Sequence, residues 1–250
     1  MSRYDFAEHL NRFGPHAENR AAPTLDGARR YTRALAISHY ENFQVVSFLL
    51  PKRLRQPMYD IYAYCRWSDD LADETGDAAD SDSRNLSEDS PSNRTHESLA
   101  LLDWWAVELR RCADGCPNRH PVFIALAETL REFHLPVRSF ADLLVAFRRD
   151  QHVSRYGTMN ELLDYCRYSA NPVGRIILQL ADCCNDVTRP LSDSICTGLQ
   201  LVNFWQDVAR DYRMGRIYIP QESMRRYGVD ENMLSTEHAG RAFREMLAEL

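Results

Sequence analysis

Two apolar helical runs each carry, near their ends, a pair of aspartates four residues apart: Asp69 and Asp73 in "SDDLADE", and Asp207 and Asp211 in "QDVARDY". Helical positions four apart share a face, so each pair sets two like charges side by side. Asp70 adds a third carboxylate one step around the first pair. Both pairs follow apolar runs and fall late in their helices, where the backbone dipole disfavours negative charge. One such pair is most often the solvated end of a helix. Two pairs, if their helices face each other, make an all-oxygen site suited to Mg²⁺, which binds through a few carboxylates and keeps waters and substrate phosphate oxygens.

Cations and amides stand near each pair. Arg66 precedes Asp69 by about one turn, Gln200 and Asn203 precede Asp207 by one to two turns, and Arg216 follows the second pair closely. Each arginine taken singly is more often a surface residue. Beside two aspartate pairs they fit a diphosphate, since guanidinium grips phosphate oxygens bidentately and, with Mg²⁺, would stabilise a departing diphosphate.

The elements that must position these groups are helices. Apolar periodicity predicts them at about 25 to 47, 53 to 74, 96 to 113, 119 to 133, 137 to 152, 158 to 184, 190 to 213 and 237 to 250, and no period-2 stretch or hairpin signal competes. The fold class is all-α. Thr158 and Glu161 fit a capping box, and Pro172 inside the long sixth helix predicts a kink there. Residues 75 to 98, rich in Ser, Asp and Asn, read as a mobile polar loop; the acceptor patterns at Asn85 and Asn93 are taken as chance. The chain stops at "RAFREMLAEL" inside an amphipathic pattern, so further C-terminal helices are expected.

At 250 residues, 44% hydrophobic and 26% charged, the chain has the size and composition of one globular domain over residues 1–250. A net charge of −6 with no sustained basic run argues against nucleic acid as a partner. Seven cysteines, mostly within apolar helical patterns, read as reduced thiols of a cytoplasmic protein. Cys112 and Cys116 lack a second ligand pair at zinc spacing. No run approaches a membrane span, and the start has neither a signal core nor a transit pattern.

The motifs together resemble the squalene and phytoene synthase family. "YAYCRWSDDLADE" is similar to its first aspartate-rich motif, "QLVNFWQDVARDYRMGRIYIP" to its second and "YCRYSANPVGRIIL" to its central-helix signature. The resemblance implies an isoprenoid synthase fold, a helical bundle around a central cavity, with Asp69, Asp70, Asp73, Asp207 and Asp211 on Mg²⁺. It also implies Arg66, Gln200, Asn203, Arg216 and Tyr218 at the diphosphate end, and Tyr156 near the reacting carbons. A prenyl diphosphate is then the small-molecule substrate, with room for peripheral membrane contact and for partner enzymes of squalene synthesis.

Departures from the family pattern narrow the expectation. Asn42 stands where many members have serine, beside Phe43; Gln206 stands where many have arginine; and Asn171 replaces a glycine. "HYENF", "YSANPVG" and "NFWQD" look most like the hydroxysqualene synthase branch, which converts presqualene diphosphate to hydroxysqualene without a reductant. Gln206 and Asn171 are then expected near the capturing water. Tyr40, Phe43, Tyr62 and Phe204 are candidates to stabilise a cation with their rings, although packing is the commoner use of an aromatic side chain. His39 and His152 have no metal-ligand spacing, and Trp104 and Trp105 are expected in the core. Two rival readings are a head-to-head prenyl transferase making presqualene diphosphate or phytoene, and a non-catalytic scaffold. A repurposed scaffold has no physical need for four aspartates.

Overall fold

The computed structural model describes residues 4–17, 21–38, 50–73, 91–116, 119–235 and 240–250. Among them are twelve α-helices, one 3-10 turn and no strand beyond an isolated parallel bridge between Arg155 and Ile217. None of these helices is long and apolar enough to cross a membrane. Contacts divide the chain into two compact units, Met1–Arg148 and Arg149–Leu250.

In the first unit, helices α1 (Phe6–Phe13), α2 (Leu25–Ser38), α3 (Lys52–Asp73), α4 (Pro91–Ala113), α5 (Pro121–Phe133) and α6 (Val137–Asp150, whose last two residues belong to the second unit) surround an aromatic core. α3 is its axis. Ala63, Tyr64, Trp67 and Leu71 recur at helical spacing and are fully buried. Trp67 and Trp105 stack with ring centroids 5.4 Å apart, and the edge of His120 meets Trp67 at 4.4 Å. Three buried polar tips in this cluster have partners: Trp105 Nε1 donates to Ser68 Oγ at 3.0 Å, Trp67 Nε1 to Tyr31 at 2.9 Å, and Tyr64 to the Phe140 carbonyl at 3.0 Å.

Asp60 is the other polar tie. Its carboxylate accepts from Thr32 of α2 at 2.6 Å, Gln56 of α3 at 2.8 Å and Thr129 of α5 at 2.8 Å, joining three helices. Burial pushes its pKa up, opposed by those hydrogen bonds.

α4 begins five residues earlier than its apolar pattern predicts. Pro91 opens it, where a missing N–H breaks no helical bond, and its polar first turns carry no periodic signal. Ser98 of this helix donates to the Ala72 carbonyl at 3.3 Å, which satisfies one of the free carbonyls at the end of α3. Residues 39–49 and 74–90 fall outside the described residues, and with them most of the expected polar loop and Asn42, Phe43, His39 and Tyr40.

The second unit holds α7 (Met159–Ser169), α8 (Asn171–Leu180), α9 (Thr188–Gln206), α10 (Val208–Arg213), α11 (Gln221–Tyr227), a 3-10 turn (Glu231–Ser235) and α12 (Arg241–Glu249). Two helices expected to be continuous are each divided. The first breaks at Ala170, so that Pro172 lies in the first turn of α8 rather than kinking a longer helix. The second bends at Asp207, which closes α9 and opens α10. The capping box forms with one change: Thr158 accepts from Glu161 N–H at 3.3 Å, while Glu161 reaches back to the N–H of Gly157 at 2.8 Å.

α8 and α9 approach closely at Gly174, where an added Cβ would overlap Ser192 Oγ and Cys196 Sγ. Thr197 of α9 also donates to the side-chain oxygen of buried Asn171 at 2.9 Å. Beyond α10, Ile217, Ile219, Met224, Val229, Leu234 and Met246 form a small apolar core.

Candidate functional site

The two aspartate pairs have the same spacing and different settings. On α3, Asp69 is half-exposed and Asp73 exposed, while the Asp70 side chain is 1% exposed. Asp70 lies in the phase of the buried residues Ala63, Trp67 and Leu71 and turns inward with them. Its carboxylate accepts from Tyr4 at 2.8 Å and is ion-paired with Arg66, whose other terminal nitrogen stands 3.5 Å from Asp69. Asp70, expected among the metal ligands, is here buried and paired with Arg66, which it anchors. Arg66 is held across Asp69 and Asp70, with 24% of its side chain exposed. Burial raises the Tyr62 pKa beside them, with Asp70 and Asp69 adding to the effect and Arg66 opposing it.

The second pair spans the bend. Asp207 is half-exposed, with Arg210 3.9 Å away, and its backbone N–H still bonds to Asn203 at 2.9 Å. Asp211 is pushed up to about 6, first by burial and then by the charge of Asp207, against Arg210 and Arg216. The N–H of Arg216 returns to the Asp211 carbonyl at 2.8 Å, so the turn after α10 brings arginine and aspartate together on one narrow crevice with Phe204 and Tyr218.

Helical spacing puts Gln200, Asn203 and Asp207 on one face of α9. The adjacent face carries Leu191, Ile195 and Leu199, which are 60%, 63% and 61% exposed. A polar stripe ending in a carboxylate thus runs beside an uncovered apolar stripe on one helix. Gln206 is exposed and falls on the apolar side, seven residues from Leu199. Asn171, expected near the capturing water, is instead buried and engaged by Thr197.

An aromatic group adjoins the second pair. Tyr218 stacks on Phe204 with centroids 3.9 Å apart and rings 9° from parallel, and Tyr156 stands 5.8 Å from Tyr218. The chain brings Tyr156 there because residues 154 to 157 run beside residues 217 to 222, with Ile217 N–H on the Ser154 carbonyl and Gln221 N–H on the Tyr156 carbonyl, both at 2.9 Å. The Tyr156 hydroxyl is buried and has no hydrogen-bond partner among the described residues. Such a group is uncommon in a folded protein and marks a place where a ligand or water completes the structure. Burial, then Asp150, raises its pKa above the usual phenol range. Asp150 escaped the sequence reading: it accepts from Tyr165 at 2.8 Å and its charge acts on Tyr156, Tyr165 and Tyr218 alike.

No group of three or more His, Cys, Asp or Glu among the described residues forms a ready metal cage. The donor chemistry nevertheless fits Mg²⁺, which is held by one or two carboxylates and completes its shell with water and phosphate. Asp69 and Asp73 offer such a pair on the first unit, and Asp207 and Asp211 another on the second, where burial and then the charge of Asp207 raise the pKa of Asp211.

Helices of this kind carrying these motifs define an all-α isoprenoid synthase scaffold, and the comparisons agree. The squalene/phytoene synthase family model matches residues 37–250, and the chain belongs to that family. It is 36% identical over 208 residues to the hydroxysqualene synthase of Zymomonas mobilis, covering 83% of this chain and 64% of that protein. To the hydroxysqualene synthase of Sinorhizobium fredii it is 33% identical over 198 residues, 79% of this chain and 61% of that one. The chain therefore spans less than two thirds of either relative. Among solved structures it is similar to squalene synthase HpnC from Alicyclobacillus acidocaldarius, with a TM-score of 0.75 and 37% identity, covering 90% of this chain and 78% of that one. The fold is the all-α isoprenoid synthase fold expected from the motifs.

Proposed function

We propose that the chain acts as a hydroxysqualene synthase, turning presqualene diphosphate and water into hydroxysqualene and diphosphate. The observation that carries this reading is the paired striping of α9, which matches a substrate with a charged head and long hydrocarbon tails. The amides of Gln200 and Asn203 and the carboxylate of Asp207 meet the head, while Leu191, Ile195 and Leu199 offer apolar surface to the tails. The names of the two curated relatives support the same reaction.

Asp69, Asp73, Asp207 and Asp211 would hold Mg²⁺, which supplies the positive charge that a diphosphate needs in order to leave. Arg66, fixed in place by Asp70, and Arg216, fixed beside Asp211, would hold non-bridging diphosphate oxygens. The carbon–oxygen bond breaks with its electron pair going to diphosphate. The cyclopropylcarbinyl cation rearranges beside the stacked Phe204 and Tyr218 rings, an aromatic setting whose π electrons favour a nearby cation by about 2 kcal/mol or more when water is excluded. Water then adds its oxygen to the rearranged cation and releases a proton. The buried Tyr156 hydroxyl is placed to hydrogen-bond substrate or water near those rings.

A second reading rests on the Alicyclobacillus neighbour, which is named a squalene synthase: condensation of two prenyl diphosphates head to head. Incubating the purified protein with Mg²⁺ and no reductant, first with presqualene diphosphate and then with farnesyl diphosphate, separates the readings by mass spectrometry. Hydroxysqualene from the first substrate supports the proposal. Presqualene diphosphate or a polyene from the second moves the chain to the condensing branch, and no product from either favours a scaffold.

A further inference from the structure

A second binding site stands in the first unit, on residues that neither aspartate motif uses. A cavity of about 940 Å³ opens among α1, α2, α4 and the start of α5. That is within the range of pockets that hold small organic ligands, roughly 300–1,000 Å³. Arg12, Arg30, Arg111 and Arg119 line it, one from each of three helices and the last from the segment before α5, and Glu108 is the lone carboxylate among the described lining residues. Glu108 is 3.8 Å from Arg111. In a chain of net charge −6 this concentrates cations around one hollow.

The rest of the lining is aromatic. Phe13, Tyr31, Trp104 and His120 contribute, with Trp104 half-buried and its ring 6.0 Å from that of His120. His120 is 3% exposed and its tautomer is set by the fold. Nδ1 accepts the Val122 N–H at 3.2 Å as the cap of α5, so the proton of the neutral ring sits on Nε2 and that nitrogen is a donor. The cavity thus combines guanidinium groups and ring faces. Arginines alone would suit any anion. Adding Trp104 and Phe13 suits an anion that carries a flat ring. Four arginines around one hollow, in a chain with no sustained basic run, do not make the extended basic track that a nucleic acid strand needs.

We propose that this cavity binds a ring-bearing organic phosphate of nucleotide size, with the phosphates among Arg12, Arg30, Arg111 and Arg119 and the ring against Trp104. The site is independent of the proposed reaction. It is tested by calorimetric titration of the purified chain with ATP, and separately with inorganic tripolyphosphate, in EDTA so that no divalent metal bridges ligand to the aspartate pairs. Saturable ATP binding is expected, weakened about tenfold by Arg30→Ala or Arg119→Ala and unchanged by Asp207→Asn. All three positions are on the surface or half-buried, so circular dichroism should show folded variants. Tripolyphosphate should bind at least about tenfold more weakly than ATP, and Trp104→Ala should weaken ATP while leaving tripolyphosphate unaffected. No saturable heat with millimolar ATP, or ATP affinity untouched by both arginine variants, overturns the site. Equal affinity for the two ligands overturns the assignment of a ring-bearing ligand.

Discussion

Asp70 and Arg66 form an ion pair one turn apart on α3, with the carboxylate buried and the guanidinium partly exposed. The pair inverts the reading of an acidic cluster, because the middle aspartate of "DDLAD" faces the core and steadies the cation beside its neighbours. Asp70→Ala leaves Arg66 and the Tyr4 hydroxyl without their shared acceptor. It should lower unfolding stability by about 3 kcal/mol, the range for breaking a buried pair. Asp73→Ala, on the exposed side, should change stability by less than about 0.5 kcal/mol. Urea melts of the two variants check the contrast, and equal costs would remove the distinction between them.

The opposite order is expected in turnover. Asp73→Asn and Asp207→Asn should each reduce product formation from presqualene diphosphate by at least about 10²-fold if their carboxylates hold the charge that stabilises the leaving group. Rates at saturating Mg²⁺ are the measurement. Near-normal activity in both variants would overturn the assignment of these positions.

Asp60 gives a pH signature to the first unit. Its folded pKa is raised by burial, so its contribution to stability is fully present below the unfolded carboxylate value of about 3.9 and is lost as pH rises through the folded value. Asp60→Asn removes that titration. Relative to Asp60→Asn, the wild-type chain should therefore lose stability as pH is raised from about 4 to 7. Denaturant midpoints at the two ends of this range test the sign, and a constant difference would show that Asp60 does not titrate across it.

Gly174 sets the separation of α8 and α9. Gly174→Ala would crowd Ser192 and Cys196 and should destabilise the chain by about 1–2 kcal/mol through overpacking. Adding Ser192→Ala and Cys196→Ala should recover at least half of that loss relative to the same two changes in the wild-type background. A thermodynamic cycle built from thermal melts measures the coupling; strict additivity would mean that the helices part without resistance.

Much of this arrangement was legible in the sequence because its signals are periodic. Apolar spacing located most of the helices to within a few residues, and the doubled Asp-x-x-x-Asp spacing located both carboxylate pairs. Orientation was harder. Asp70 differs from Asp69 by one step around a helix, and only the phase of Ala63, Trp67 and Leu71 shows that it points inward. Pro172 signalled a kink near Ala170 but not a full break, and the break at Asp207 carried no signal because apolar periodicity runs straight through it. α1 spans only eight residues, too few for its apolar period to stand out even though Asp5 caps it and Gly14-Pro15 ends it, and α11 and the 3-10 turn are shorter still. Asp150 and the arginine-lined cavity depend on residues far apart in sequence, so no local pattern announces them. Asn171 looked like a polar group placed for chemistry, and in the fold it is a tie between α8 and α9.

The bend at Asp207 makes the two aspartate pairs mechanically unequal. Asp69 and Asp73 ride on one uninterrupted helix, so their separation is as fixed as a ruled scale. Asp207 is itself the joint, so a rotation about its backbone turns its carboxylate relative to Asp211, whose N–H bonds to the Asp207 carbonyl at 2.9 Å. A repeated spacing in the sequence thus specifies a fixed gauge in one unit and an adjustable caliper in the other.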